Sequence, residues 1–466
     1  MKRWLLLVSG VLVGGAVVIV LFGAELLRSN FERAASEALG IEVTASGAMR
    51  AGLSPSPYLN IETIRLHQGD SLVAEIESAR VEAAVLGSFV GGNLELRNLE
   101  LRGVDMRIVR DEEGRFNLSD ATPDVGDDPG AVPDFEFSEV SVHYFDESAD
   151  VEVAFSDCAG SVSGAGMAQS GELDRFARLE GEGEIRCRSI RYGEVEFSEV
   201  EINLSAGEGR IALDPFKAVL YEGTGLGSLE ADLSGERPRF SLNVTLEEFE
   251  AEGLLHSLAP EVDAEGVMIF STELSSAGST IEAVERELEG SISLRGEAFT
   301  VHGIDLDERF ADFASVREFG LVDAGAVLLI GPAGLAVTRG HEFARLLRAG
   351  EGSTEFREVV SDWTVAEGAA STEDVAIATE EHRLAVRGRI DFTERVYDGV
   401  SIALLDPNGC AVVEQAVTGP FTDPEIDQPG VVETLLAPVM DLVQRGIAPF
   451  VGDDCEVFYE GEVSAP

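Results

Sequence analysis

Apolar and charged residues alternate along much of the chain, a pattern that indicates β-strands with one apolar and one polar face. The clearest run is residues 93–116, NLELRNLELRGVDMRIVRDEEGRF, which ends in a predicted hairpin turn at 111–114. The alternation slips by one residue at Asn98 and again at Gly103. A slip turns the apolar side chains to the opposite face unless the strand bends there. We therefore predict bends at Asn98 and Gly103 that keep one apolar side throughout.

The same alternation predicts short strands over most of the chain. It recurs from Ile41 to about Leu118, from Phe135 to about Leu246, and again over 374–405. The fold class is therefore mainly β, an antiparallel sheet with a few short helices. Periodicity alone leaves two architectures open, an elongated sheet that forms a hydrophobic trough and a pair of compact sandwiches. Helical spacing of apolar residues is confined to residues 29–40, 246–260, 279–290, 305–319, 341–350 and 429–446.

The N-terminus carries the pattern of a membrane anchor. Lys2 and Arg3 precede Trp4–Ala24, an uncharged and mostly apolar run. About 20 apolar residues cross a bilayer as a helix, and basic residues ahead of a span favour a cytoplasmic N-terminus. A cleaved signal peptide is the alternative, but its apolar region is shorter, about 7–15 residues, and a small-residue cleavage site follows it. We predict a cytoplasmic segment at 1–3, a transmembrane anchor at 4–27 and an exported remainder.

The charge balance excludes one class of partner. Lys and Arg total 34 against 86 Asp and Glu, a net charge of −52 over 466 residues. Nucleic-acid binding needs clustered cations that neutralise phosphates, so we predict no nucleic-acid partner. The acidic residues are interleaved with apolar ones, and 45% of the chain is hydrophobic. That mixture favours an ordered chain with an acidic face over a disordered tail.

Cysteine usage agrees with export. The chain has four cysteines, Cys158, Cys187, Cys410 and Cys455, and an even number in an exported protein permits two disulfides. Three pairings are possible. We favour Cys158 with Cys187 and Cys410 with Cys455, because each pair lies within one region of the chain. A metal site is the alternative, but no two cysteines form a CxxC motif.

Motifs that carry catalysis are missing from the sequence. No histidine lies in an HExxH pattern, and no nucleophile elbow, Walker loop or dinucleotide fingerprint is present. We therefore predict no catalytic residue, no cofactor, no metal site and no enzymatic activity.

Three stretches of the chain resemble the AsmA family of bacterial envelope proteins. The first follows the anchor, from IEVTASGAMRAGLSPSPYLNIETIRL to residue 118. The second is central and includes 211–233 and 284–310, and the third is the C-terminal pattern of 362–426 with CEVFYEGEV at 455–463. The resemblance covers essentially the whole chain. It divides the exported part into an N-terminal region at 28–118, a linker or loop at 119–134, a central β-rich region at 135–320 and a C-terminal region at 321–466.

The resemblance implies a location and a role. AsmA-like proteins are anchored in the inner membrane with a periplasmic body, and they are related to TamB-like and chorein-type proteins that enclose a hydrophobic trough. The family is associated with outer-membrane biogenesis and with the movement of phospholipids between membranes. The implied partners are phospholipid acyl chains, the inner membrane through the N-terminal helix, and other envelope-assembly proteins.

Two functions therefore compete. In the first, the apolar faces of successive strands line one continuous groove that holds acyl chains. In the second, the protein is a scaffold for outer-membrane proteins and its apolar faces are an ordinary closed core. The lipid-groove candidates of the first hypothesis are Leu94, Leu96, Leu99, Leu101, Val104, Met106, Ile108, Val200, Ile202 and Leu204.

Overall fold

The structure is a computed structural model, and the protein divides into two compact units, Met1–Ala218 and Val219–Pro466. Each unit is an open, mostly antiparallel sheet, so the prediction of a mainly β fold with a few short helices is confirmed. The described residues are 28–33, 35–37, 39–52, 56–69, 71–83, 96–117, 134–149, 151–166, 180–193, 195–258, 263–303, 305–310, 352–421, 423–428, 430–431 and 455–466.

Strands of the first unit follow one another in the sheet with few exceptions. Both β1 and β2 pair with β3, and from β3 to β10 each strand pairs with the next. The strands are β1 (Glu42–Ala45), β2 (Met49–Gly52), β3 (Tyr58–Gln68), β4 (Ser71–Ala83), β5 (Leu96–Arg110), β6 (Asp134–Asp146), β7 (Val151–Gly166), β8 (Glu180–Tyr192), β9 (Val195–Gly207) and β10 (Arg210–Leu220), in which the unit boundary falls.

The second unit is likewise built from consecutive antiparallel strands. The ladder runs from β11 to β12, β14, β15 and on to β20, while β13 pairs with β15, and β21 and β22 with β20. Its elements are β11 (Gly223–Asp232), β12 (Arg239–Glu250), α1 (Ala251–Leu258), β13 (Ala264–Glu265), β14 (Val267–Ala277), α2 (Ile281–Arg286), β15 (Glu289–His302), α3 (Leu306–Phe310), β16 (Ser353–Ala366), β17 (Ala369–Thr379), β18 (Arg383–Asp391), β19 (Val396–Leu405), β20 (Ala411–Pro420), β21 (Glu425–Ile426) and β22 (Gly430–Val431).

One pair of strands breaks the antiparallel rule. Strands β5 and β6 run parallel, with Leu99 opposite Phe135 and Ile108 opposite Tyr144. The predicted turn after β5 is present, because the amide of Gly114 donates to the carbonyl of Asp111. A parallel neighbour requires a connection that brings the chain back to the end of the sheet where β5 began. Residues 118–133, which contain most of the predicted linker, lie outside the described residues.

The bend predicted at Gly103 is confirmed and belongs to a series. Gly103 has a φ of +64°, in the left-handed region that glycine adopts without a steric penalty. In the neighbouring strands Thr63, Glu139, Asp157 and Glu199 also have positive φ. Each of the five immediately precedes one member of a single cross-strand row, namely Ile64, Val104, Val140, Cys158 and Val200. The second predicted bend, at Asn98, coincides with a register shift against β4 between Glu82 and Ala83.

A helical segment covers the first strands of the first unit. Residues 28–33 and 35–37 are helical, as predicted, and Phe31 and Ala35 pack on a cluster around Ile61 and Ile64. The hydroxyl of Ser36 accepts a hydrogen bond from the amide of Val43, which holds the segment against β1. The apolar face of β1–β4 is therefore an ordinary buried core.

Two of the helix predictions are wrong in their bounds. The helix predicted at 246–260 begins only at Ala251, because β12 continues to Glu250 through a bulge against β14. The helix predicted at 279–290 is confined to Ile281–Arg286, where Thr280 caps the N-terminus by accepting from the amide of Ala283. Most of the predicted helix at 305–319 and all of that at 341–350 lie outside the described residues, as does the predicted helix at 429–446 apart from two strand residues.

The predicted anchor at 4–27 also lies outside the described residues. In the part of the chain that the structure describes, no helix is long and apolar enough to cross a membrane.

Candidate functional site: an apolar face in the first unit

The register of β5–β9 brings the apolar side chains of five strands to one side of the sheet. Each row crosses all five strands without a polar interruption, as in Met106–Val142–Phe155–Ile190–Phe197. We refer to the whole set as the apolar face. Its members are Leu99, Leu101, Val104, Met106 and Ile108 of β5; Phe135, Phe137, Val140, Val142 and Tyr144 of β6; Val153, Phe155, Cys158, Gly160 and Val162 of β7; Gly183, Ile185, Cys187, Ile190 and Tyr192 of β8; and Val195, Phe197, Val200, Ile202 and Leu204 of β9.

Burial across the apolar face is uneven. The central row, which we call the floor row, is Val104, Val140, Cys158, Cys187 and Val200. All of these except Val140 are 5–6% exposed, whereas most residues of the flanking rows are half-buried. Four of its five members, all but Cys187, directly follow a left-handed residue described above, and such irregularities bend a strand locally. The face is therefore folded along the floor row, with partly exposed apolar slopes on both sides.

A disulfide forms part of the floor. Cys158 and Cys187 lie directly opposite each other in β7 and β8, with a Cα–Cα separation of 4.0 Å. Phe137, Phe155 and Ile190 pack around the bridge. Cys410 and Cys455 form the second bridge, so the predicted pairing is confirmed for both.

The reverse side of the same strands is charged. Arg102 pairs with Glu139 at 2.9 Å and Arg191 with Glu152 at 3.4 Å, while Arg188 pairs with Asp157 across β7 and β8. These side chains are largely exposed, and exposed ion pairs contribute little to stability. Their effect is on polarity, because they keep one side of the sheet wet while the other is apolar.

One edge of the apolar face ends in a polar cluster. Beyond Ile108 and Tyr144, the next positions on this side are Arg110 and Asp146, whose side chains form an ion pair of 2.8 Å. The Asp146 carboxylate also accepts from the hydroxyls of Tyr144 (3.1 Å) and Ser148 (2.6 Å). Hydrogen bonds from Ser148 and then from Arg110 hold the pKa of Asp146 well below its usual range. Together with Tyr192, which is 56% exposed, these residues form what we call the tyrosine edge.

The opposite edge has a different chemistry. Beyond Val162, Gly183 and Leu204, the strands end on this side in Gly164, Gly181 and Ala206. A side chain at Gly164 would lie 3.9 Å from the backbone of Gly181, so the two glycines are neighbours. We call this the glycine edge, and the carboxylate of the exposed residue Asp134 lies there, accepting a hydrogen bond from the amide of Gly164 at 3.3 Å.

A comparison with family models assigns the central part of the chain. Residues 167–374, which reach from the first unit into the second, match the model described as AsmA family. The match supports an AsmA assignment for this region. Compared with curated proteins and with solved structures, the chain matches none. The details of the site therefore come from the structure.

The structure places eight of the ten predicted groove residues on the apolar face. They are Leu99, Leu101, Val104, Met106, Ile108, Val200, Ile202 and Leu204. Leu94 lies outside the described residues, and of Leu96 only the strand position is described. The sequence prediction missed the contribution of β6–β8, including Phe137, Phe155 and Cys158, although the alternation in those strands signals it equally well.

The apolar residues of the second unit are more deeply buried. On one side of its sheet Phe299, Phe356, Trp363, Ile377 and Leu384 are at most 2% exposed, and side chains of α1 and α3 pack against them. On the other side Ala376, Ala378, Ala385 and Ala403 are covered by Phe458, Tyr459 and Val463. We call residues 455–466 the C-terminal strap. The second unit therefore has an ordinary closed core of the kind that the scaffold hypothesis expects.

In the described ranges, no group of three or more His, Cys, Asp or Glu is placed to hold a metal ion.

Proposed function

We propose that this AsmA-family chain is a non-enzymatic envelope protein whose apolar face in the first unit binds phospholipid acyl chains. We further propose that residues 4–27 anchor it in the inner membrane with the N-terminus in the cytoplasm and the bulk of the chain in the periplasm. Its role would be the transfer of phospholipids between membranes during outer-membrane biogenesis. The family and the open sheet support an envelope role of this kind.

The continuity of the apolar face is the observation that supports lipid binding. Five strands present 25 apolar-face positions in unbroken rows, and most of those outside the floor row are only half-buried. Each methylene that leaves water for such a surface gains about 0.8 kcal/mol, without any directional contact. A continuous apolar slope therefore suits flexible acyl chains better than it suits a rigid polar ligand.

A scaffold for outer-membrane proteins is the second candidate, and the second unit favours it. There the apolar residues form a closed core, and the C-terminal strap covers the other side of the sheet. A protein partner would then dock elsewhere, and no acyl chain would contact the first unit.

Site-specific photocrosslinking of the full chain in cells separates the two functions. A photoreactive amino acid at Met106 or Ile202 lies on the apolar face, and the matched positions Asp105 and Glu201 are adjacent but point to the charged side. We expect phospholipid adducts at Met106 and Ile202 and few at Asp105 and Glu201. Protein adducts without lipid at the two apolar positions would refute lipid binding and favour the scaffold.

A further inference from the structure

The two edges of the apolar face differ in a way that bears on how a lipid lies there. The tyrosine edge carries a guanidinium paired with a carboxylate, and two phenols, whereas the charged group described at the glycine edge is the Asp134 carboxylate, which repels a phosphate. A phospholipid has one polar end and an apolar body. A surface whose two edges differ in charge in this way can therefore fix the direction of the molecule as well as hold its chains.

Arg110 has donor capacity left for a ligand. A guanidinium has five N–H groups, and among the described residues that of Arg110 donates to the Asp146 carboxylate and interacts with the Tyr144 hydroxyl, which leaves further donors. The side chain of Arg110 is 40% exposed, and its guanidinium lies beside Gly114, whose lack of a side chain leaves that approach open. Guanidinium groups bind phosphate through paired N–H donors. Arg110 is thus placed to accept a phosphate at the boundary between the apolar face and solvent.

The charges around Arg110 restrict which headgroup fits. Asp146 already neutralises the guanidinium, and the amide of the exposed residue Glu147 donates to the carbonyl of Arg110 at 2.9 Å. Asp111 and Glu113 follow in the adjoining turn, where Arg115 pairs with both. A headgroup with a net negative charge meets a surplus of carboxylates here. A headgroup that adds a cationic group to its phosphate can place the phosphate on Arg110 and the cation toward Glu147.

The dimensions of the face agree with this orientation. Ile108, next to the tyrosine edge, lies four positions along β5 from Val104 in the floor row. At roughly 3.3 Å per residue, this distance is about 13 Å. An acyl chain spans about half of a hydrocarbon core of roughly 30 Å, or about 15 Å. A chain that starts at the tyrosine edge therefore ends near the floor row and its disulfide.

We propose that the tyrosine edge is a headgroup site that seats zwitterionic phospholipids in one direction, with the phosphate at Arg110, the phenols of Tyr144 and Tyr192 beside the glycerol region, and the acyl chains directed to the floor row. The inference rests on the proposed function, because it assigns the polar end of the lipid that the apolar face holds. Tyrosine suits such a boundary, since one end of its ring is apolar and the other is wet.

Two photoreactive phosphatidylcholine probes test the direction on the unmodified full chain, purified in an amphipathic polymer. One probe carries its reactive group in the headgroup and the other at the end of an acyl chain. We expect the headgroup probe to label peptides around Tyr192 and Arg110, and the chain-end probe to label peptides of the floor row such as that with Val200. Equal labelling of the glycine edge by the headgroup probe overturns the headgroup site but leaves acyl binding intact. The absence of adducts from both probes overturns acyl binding as well.

A matched pair of variants tests the role of Arg110. Arg110→Gln removes the guanidinium of the tyrosine edge, and Arg188→Gln removes one from the charged side. Each full-length protein is incubated with vesicles of dioleoyl phosphatidylcholine mixed equally with dioleoyl phosphatidylglycerol, and the bound lipid is identified by mass spectrometry. We expect the wild type and Arg188→Gln to retain phosphatidylcholine preferentially. In Arg110→Gln the ratio of bound phosphatidylcholine to phosphatidylglycerol should fall about two- to fivefold, the range of one exposed ionic contact. Arg110→Lys should restore part of it. An unchanged ratio in Arg110→Gln, with total bound lipid maintained, overturns the headgroup site.

Discussion

Removal of the Tyr459 hydroxyl should release the C-terminal strap from the second unit. This hydroxyl donates to the Asp374 carboxylate and accepts from the amide of Val463 at 3.0 Å. Val463 is fully buried, and Asp374 also accepts from the amide of Glu462 at 2.8 Å. The substitution Tyr459→Phe keeps the ring in place and deletes one of the two polar links between the strap and Asp374 of β17. The amide of Val463, a fully buried residue, then loses its partner.

The expected magnitude follows from that buried amide. A buried donor left without an acceptor costs about 1–3 kcal/mol. Asp374 loses one of two donors and keeps the other, so its contribution to the loss is smaller. Since about 1.4 kcal/mol corresponds to a factor of ten, local opening of the strap should become about 5- to 150-fold more frequent.

Hydrogen exchange followed by mass spectrometry of the 455–466 peptide measures this opening. The matched control is Tyr397→Phe, which deletes the same atom from a half-buried ring that packs edge-to-face on Phe421 at 5.1 Å. Within the described residues no hydrogen bond is recorded for the Tyr397 hydroxyl, so that variant should exchange like the wild type. Equal exchange of the strap in both variants would refute the assignment of Tyr459 as its main polar attachment.

The same tyrosine gives the strap a dependence on alkaline pH. Burial, and then the hydrogen bond to Asp374, raise the pKa of Tyr459 above its ordinary value of about 10. The folded state therefore favours the neutral phenol, and the stabilisation is complete below about pH 10 and is lost as the pH rises toward the folded pKa. Exchange of the strap should accelerate above pH 10 in the wild type, beyond the intrinsic effect of base, and this excess should be absent from Tyr459→Phe.

Three further substitutions test the packing of both units. Cys410→Ser opens a bridge between residues 45 positions apart, for which chain entropy predicts a loss of about 4 kcal/mol in stability. Proteolysis should then remove 455–466, and unchanged protection under oxidising conditions would contradict this. Asp146→Asn should make the melting temperature depend less on acid, because the lowered pKa of the Asp146 carboxyl gives stability that is lost as the pH falls below about 4. A plot of melting temperature against pH identical to that of the wild type would contradict this. Gly160→Val places a Cβ 2.3 Å from a backbone oxygen of the neighbouring strand and should cost about 1–3 kcal/mol or more, whereas Gly207→Ala, with nothing within 4 Å, should be close to neutral in thermal unfolding.

Local alternation of apolar and polar residues predicted the strands and the bend in β5. The slip at Gly103 is visible in the sequence because Leu101 and Val104 are three residues apart, and the structure resolves it with a left-handed residue. The pairing of the cysteines was also predictable, because Cys158 and Cys187 lie within one region and turn out to face each other in adjacent strands.

Contacts between distant segments could not be predicted in the same way. The parallel pairing of β5 and β6 depends on the connection between them. The alternation of apolar and polar residues in either strand is the same whether its neighbour runs parallel or antiparallel. The strap was missed because Phe458, Tyr459 and Val463 show neither strand nor helix periodicity. Their attachment depends on side chains far away in sequence, such as Asp374 and Arg383, which donates to the carbonyl of Val463 at 2.9 Å.

Coverage by helices explains why one apolar face is open and the other closed. Both units alternate apolar and polar residues, so alternation does not distinguish a groove from a core. In the second unit Phe299, Phe356 and Trp363 meet on the buried side, the rings of the first two stack at 4.6 Å, and side chains of α1 and α3 pack against them. In the first unit Phe137 and Phe155 also pack around the floor row, but they are only half-buried, and no described helix contributes to their cluster. Rings that packed elements surround form a dense core, whereas rings left half-exposed form part of a surface that flexible methylene chains can cover. Coverage of the apolar side, more than its hydrophobicity, therefore separates the lipid surface that we propose from the core of the second unit.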